Sequence, residues 1–288
     1  MANRFAQAYK RAMSDALQHT IERLQRDARV WRSFAARAAA SEQLDAACHG
    51  APAALQLQAA ELQRRLDAAD ERFVHRLRER IRSGRYTADG VIRGLARHAA
   101  APGTEPGYDA LDVLLASVLD AGELPAEQVT RELEMVAYQP APGRVILQLL
   151  PYVGAHDLFY DLGSGLGRVV ILVALLRGAR ARGVELEPEF CAYAERAARS
   201  LQARGASFTV ADARDVSLDD GTVFFLYTPF RGTLLGTVLA KLRAVAARTS
   251  IRVCSFGPCT PEIAAAPWLV LRAGAIDADE LAVFESRS

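Results

Sequence analysis

Apolar residues recur every three or four positions at Phe5, Tyr9, Met13, Leu17, Ile21, Leu24, Ala28, Trp31 and Ala35. That single stripe predicts one long amphipathic helix. The break at His49-Gly50-Ala51-Pro52 ends it. Leu55, Leu62, Leu66, Phe73, Leu77 and Ile81 predict a second helix, stopped at Ser83-Gly84. A shorter helix is expected after Thr87, a loop at Pro102-Gly103 and Pro106-Gly107, and two more helices near 108–120 and 125–137. From about Leu158 the rhythm changes. Short apolar segments at 158–162, 181–185, 207–211, 223–227 and 250–256 alternate with helical patterns starting at Gly167, Glu189 and Arg231. Strands alternating with helices imply an α/β fold with a parallel sheet covered on both faces. Segments 268–272 and 280–285 are separated by a short turn-rich stretch, so they should pair as a hairpin and bring one antiparallel strand to the sheet.

Composition sharpens this division. The 288 residues carry 35 Lys and Arg against 34 Asp and Glu, with 51% apolar residues, which excludes a disordered or fibrous chain. The formal charge of +1 supplies no overall pull toward nucleic acid or anionic lipid. It hides an asymmetry: the first hundred residues hold 18 basic and 11 acidic side chains, the remainder 17 and 23. Cys48, Cys191, Cys254 and Cys259 lack metal or disulfide spacing, and no metal site is expected. The longest apolar run, from Val169 to Leu176, is too short to span a bilayer, and the N-terminus lacks a secretion signal, so a cytoplasmic location is expected. The oligomeric state is not legible.

The candidate chemistry starts at Phe159-Tyr160-Asp161-Leu162-Gly163-Ser164-Gly165-Leu166-Gly167-Arg168, a strand running into a glycine turn and a helix start. Such a turn lets a ligand approach bare backbone. A dinucleotide fingerprint would place its third glycine at position 168, which is Arg168. Asp161 would repel a pyrophosphate and receive an ammonium, so a zwitterionic or cationic ligand fits better. Glu185 at the end of the next strand is placed to accept ribose hydroxyls, and Asp212 beside Ala213 to accept an adenine amino group.

This combination resembles the class I S-adenosylmethionine-dependent methyltransferases from roughly Tyr138 to Ser288. The resemblance implies a Rossmann-like seven-stranded sheet whose last strand is inserted antiparallel. It also implies that Asp161, Gly163, Ser164, Gly165 and Gly167 hold the methionine part of S-adenosyl-L-methionine, Glu185 the ribose, and Asp212 with Ala213 the adenine. After the fourth strand, Tyr227-Thr228-Pro229-Phe230 is similar to the Tyr-Asn-Pro-Phe of a bacterial group, with Thr228 in the place of Asn. Upstream, Tyr138-Gln139-Pro140-Ala141-Pro142 looks like the Tyr-x-Pro-x-Pro segment of similar bacterial enzymes and, loosely, the cofactor-covering loop of the non-SET histone lysine methyltransferases. Tyr138, Tyr227, Thr228 and Phe230 are therefore the expected acceptor-side residues.

Two domains are expected: a helical lid and substrate domain over 1–137, and a cofactor-binding methyltransferase domain over 138–288. The leading expectation is methyl transfer to an N or O nucleophile of a small-molecule acceptor. Protein methylation, with an arginine-bearing helix docking an acidic partner, is the first alternative. A non-catalytic cofactor-binding scaffold and a non-methylating reaction within the cofactor are the others.

Overall fold

The computed structural model describes residues 2–99, 108–130 and 132–287, with residues 2–10 given by backbone alone. The loop expected at 102–107 lies outside the described residues. Two compact units emerge: one holds the chain up to Arg80 with 98–99 and Asp109–Val118, the other holds Ile81–Arg97, Tyr108 and the chain from Leu119 onward. The segment preceding Tyr138 thus belongs with the sheet.

The first unit contains α1 (Ala2–Arg26), α2 (Ala28–Arg32), α3 (Phe34–Cys48), most of α4 (Ala53–Arg82) and most of α6 (Ala110–Leu119). The single long helix expected from the first stripe is three helices. Asp27 and Ser33 interrupt it by accepting the N–H groups of Arg29 and Ala36, as N-caps do. Each interruption turns the buried face. Leu17, Ile21 and Leu24 are buried as the stripe requires, but beyond Asp27 the buried positions become Val30 and Phe34 while Ala28 is exposed.

In the second unit, Thr87 caps α5 (Ala88–Ala96) through Gly90 N–H, and α7 (Gly143–Leu149) leads through one 3-10 turn into the sheet. Strands β1 (Leu158–Leu162), β2 (Arg180–Glu185), β3 (Ala206–Val210), β4 (Val223–Tyr227), β5 (Arg252–Phe256), β6 (Leu269–Ala273) and β7 (Ala282–Ser286) lie in the order β3-β2-β1-β4-β5-β7-β6. The first five are mutually parallel, and β7 runs antiparallel between β5 and β6. Helices α8 (Arg168–Arg177), α9 (Pro188–Ser200), α10 (Gly232–Ala246) and α11 (Thr260–Ala264) connect the strands.

Alternation along β1 explains how the layers assemble. Leu158, Tyr160 and Leu162 join Phe224, Leu226 and the Leu234, Leu235, Val238 and Leu242 face of α10 in one core. All five β1 residues are buried, as a central parallel strand requires. Strand order reverses between β1 and β4, which opens a crevice at their carboxyl ends. Among the described residues no helix is long and apolar enough to cross a membrane.

Candidate functional site

A cleft opens at that reversal, entirely within the second unit, and encloses about 1030 Å³ with its mouth included. Asp161, Gly163, Ser164, Glu185, Asp212, Ala213, Tyr138, Tyr227, Thr228 and Phe230 all line it. Gly165 and Gly167 do not. Gly167 is pressed against Ala194 and Phe208, where an added Cβ would come within 2.6 and 2.7 Å, so it packs the helix start onto its neighbours.

The glycine turn is fastened to β2. Gly163 and Ser164 N–H donate to Val184 O at 2.8 and 3.1 Å, and Gly165 N–H donates to Glu185 Oε2 at 2.7 Å. Gly163 (φ +81°) and Gly165 (φ +52°) adopt left-handed backbone that disfavours other residues. Close approach adds to this: a Cβ on Gly163 would meet Pro229 at 2.3 Å, and one on Gly165 would meet the Tyr138 ring at 2.2 Å.

Electrostatics single out Asp161. It is 3% exposed, and its carboxylate accepts no hydrogen bond from the described residues. Burial, reinforced by the neighbouring Glu185 carboxylate, pushes its pKa well above the ordinary carboxylate range. Glu185 is also raised by burial, although its carboxylate accepts the N–H groups of Gly165, Leu186 and Glu187. Two acids sharing a cleft, one of them unpartnered, favour a cation between them.

At the far end, Asp212 is already engaged. Arg214 donates its backbone N–H and its guanidinium to both carboxylate oxygens at 2.7–3.0 Å, and this holds the Asp212 pKa down. The carboxylate's lone pairs are thereby occupied. The Ala213 N–H beside it has no partner among the described residues and is the available donor there.

Among the described residues of 125–137 the expected helix is absent. The described residues instead form an irregular strap tied to the carboxyl ends of successive strands. Gln128 and Val129 donate their N–H groups to the buried Glu187 carboxylate at 2.8–3.1 Å, and Glu132 pairs with Arg214 at 2.5 Å. Met135 bridges Phe230, Val136 N–H donates to Pro229 O, and Glu134 accepts from Thr233 and Leu234. Side chains from distant strand ends thus satisfy the backbone that a helix would have satisfied internally. Glu187, which the sequence reading missed, sits beside Pro188 at the start of α9, where an acidic N-terminal residue followed by Pro was the available signal.

On the acceptor side, Tyr227 Oη donates to Gln139 Oε1 at 3.3 Å, joining β4 to the strap's continuation. The Tyr138 ring meets Phe190 edge-on at 5.3 Å, and burial pushes its phenol up to about 12. Phe230 lines the cleft while belonging to the core beneath it. Thr228 has φ +39°, and its hydroxyl accepts the Cys259 N–H and donates to Phe256 O. That hydroxyl is committed to the loop after β5. Cys254 and Cys259 are buried outside the cleft lining.

The antiparallel β7 between β5 and β6, with the cleft at the β1–β4 reversal, decides the fold. It is the Rossmann-like seven-stranded sheet that the resemblance implied, with its last strand antiparallel. A family model described as Histone methylation protein DOT1 matches residues 146–221. On this sheet the matched stretch runs from α7 through the glycine turn, Glu185 and Asp212, and stops before β4. Among solved structures, an RNA methyltransferase from Salinibacter ruber in complex with S-adenosyl-L-homocysteine is 28% identical, over 51% of this chain and 92% of that one, with a TM-score of 0.40. The magnesium protoporphyrin IX methyltransferase of Synechocystis PCC 6803 with bound SAM is 15% identical over 50% of this chain and 77% of its own (TM-score 0.40). Precorrin-6y C5,15-methyltransferase from Geobacter metallireducens GS-15 is 16% identical over 52% and 93% (TM-score 0.41). No curated protein matches.

Proposed function

We propose that the protein is an S-adenosylmethionine-dependent methyltransferase acting on an N or O nucleophile of a small-molecule acceptor. The observation that carries this reading is the buried Asp161 carboxylate, unpartnered in a cleft floored by a glycine turn. A carboxylate so placed suits an α-ammonium group. Glu185 suits ribose hydroxyls, and the unpaired Ala213 N–H suits an acceptor nitrogen of adenine. The residues present therefore fit a nucleoside carrying a cationic amino-acid arm.

S-adenosylmethionine bound there would supply a methyl group on a sulfonium, an electrophile that a lone pair attacks in line. The chain's task is then to bind, orient and exclude water. Asp161 and Glu185 fix the two halves of the cofactor. Tyr138 closes over the glycine turn and keeps its proton at neutral pH, so it orients a ligand rather than accepting a proton from one. Tyr227 Oη and Gln139 Oε1 form a polar pair that can hold the nucleophile's N–H or O–H. Thr228 acts on the acceptor side through its backbone, because its hydroxyl is occupied.

The strap supports the choice of a small acceptor. Val129 and Met135 to Ala141 line the cleft together with Tyr227 and Phe230, so the strap forms part of the wall that an acceptor must fit against. The match to the histone methylation model favours protein methylation as a second reading. It stops short of Tyr227 to Phe230, so it bears on the cofactor half. Methyl-labelled S-adenosylmethionine, incubated with the protein and separately with metabolite and protein fractions, tests the choice. Label in small molecules is expected, and label confined to protein would replace the first reading with the second.

A further inference from the structure

We propose that Lys241 is a positioning residue for adenine recognition, holding the turn that presents the Ala213 N–H to the cleft; this rests on the cofactor reading above. The sequence contains two lysines, Lys10 and Lys241, among 35 basic residues. Lys241 stands on α10, and its ammonium donates to three carbonyls of one turn: Ala213 at 3.3 Å, Arg214 at 2.7 Å and Val216 at 2.5 Å. An ammonium has three donors on a compact point charge, and all three are used. The planar fork of an arginine cannot converge on three carbonyls in this way.

The same turn is closed from within. Asp212 O accepts the N–H groups of Asp215 and Val216 at 2.9 and 3.2 Å, which fixes the peptide unit that carries the Ala213 N–H. Lys241 ties down the carbonyls that follow, so the turn cannot open without exposing them. Because Arg214 occupies the Asp212 carboxylate, discrimination of the base falls to this backbone donor. Adenine offers an acceptor at N1. Hypoxanthine offers an N–H there, which would face the Ala213 N–H donor to donor.

Calorimetric titration with S-adenosyl-L-homocysteine and its 6-oxo analogue, S-inosyl-L-homocysteine, tests the assignment. Wild-type protein is expected to prefer the adenine ligand about tenfold, the worth of one hydrogen bond. Lys241→Met is expected to reduce that preference to less than about threefold. Lys241→Arg, which keeps the charge and serves if the Met variant does not fold, is expected to fall between. A general structural role would weaken both ligands by the same factor and leave the preference intact. That result, or equal binding of both by the wild type, overturns the proposal. Wild type binding neither ligand would overturn the cofactor reading itself.

Discussion

Thr228 Oγ1 accepts the Cys259 N–H at 3.2 Å and donates to Phe256 O at 3.1 Å, clasping the loop after β4 to the loop after β5. This clasp accounts for a β-branched residue at φ +39°, a conformation that costs energy unless its surroundings impose it. Thr228→Val keeps the shape, orphans the Cys259 N–H and leaves Phe256 O only the weak Cys259 Sγ donor at 3.8 Å. It is expected to destabilise the protein by about 2–4 kcal/mol in denaturant unfolding, with Thr228→Ser near wild type.

Tyr138 rests on the bare Cα of Gly165. Gly165→Ala places a methyl group 2.2 Å from the ring, in left-handed backbone as well, so the ring must leave. Binding of S-adenosyl-L-homocysteine is expected to weaken at least about tenfold, the loss of roughly one good contact. Tyr138→Phe retains the ring and is expected to bind within about threefold of wild type.

The raised pKa of Asp161 makes ligand-free stability depend on pH. A group whose folded pKa lies above its unfolded value of about 3.9 stabilises fully at acid pH, and that stability is lost as pH rises through the folded pKa. Glu185 contributes with the same sign. Asp161→Asn should therefore raise the ligand-free melting midpoint at pH 7 by about 2–4 °C and leave it unchanged near pH 4. Thermal melts across this range check the sign.

Glu187 anchors the strap through the N–H groups of Gln128 and Val129. Removing its carboxylate with Glu187→Ala frees both amides. Hydrogen exchange at 128 and 129 is expected to accelerate about tenfold or more, while amides of β1 and β4 keep their protection.

The strands were legible because burial on both faces leaves unbroken apolar runs such as Val223 to Tyr227. The antiparallel hairpin was legible because no helix fits between 272 and 280. The strap was not. Val129, Leu133 and Val136 have helical spacing, yet Leu133 is fully exposed and the backbone is satisfied by Glu187 and Pro229, roughly 60 and 90 residues away. Pattern reading sees local periodicity and cannot see such remote partners. The same limit hid the Arg214 pairing that fills Asp212 and the direction of the Thr228 hydroxyl. Residue identity marked the cleft, while the orientation of side chains followed from contacts distant in sequence.

The most direct measurement is titration calorimetry of S-adenosyl-L-homocysteine into the wild-type protein and Asp161→Asn. The account expects one molecule bound per chain by the wild type, with affinity lost about thirtyfold or more when the buried charge is removed. No heat with folded wild-type protein, or undiminished binding by Asp161→Asn, would contradict it.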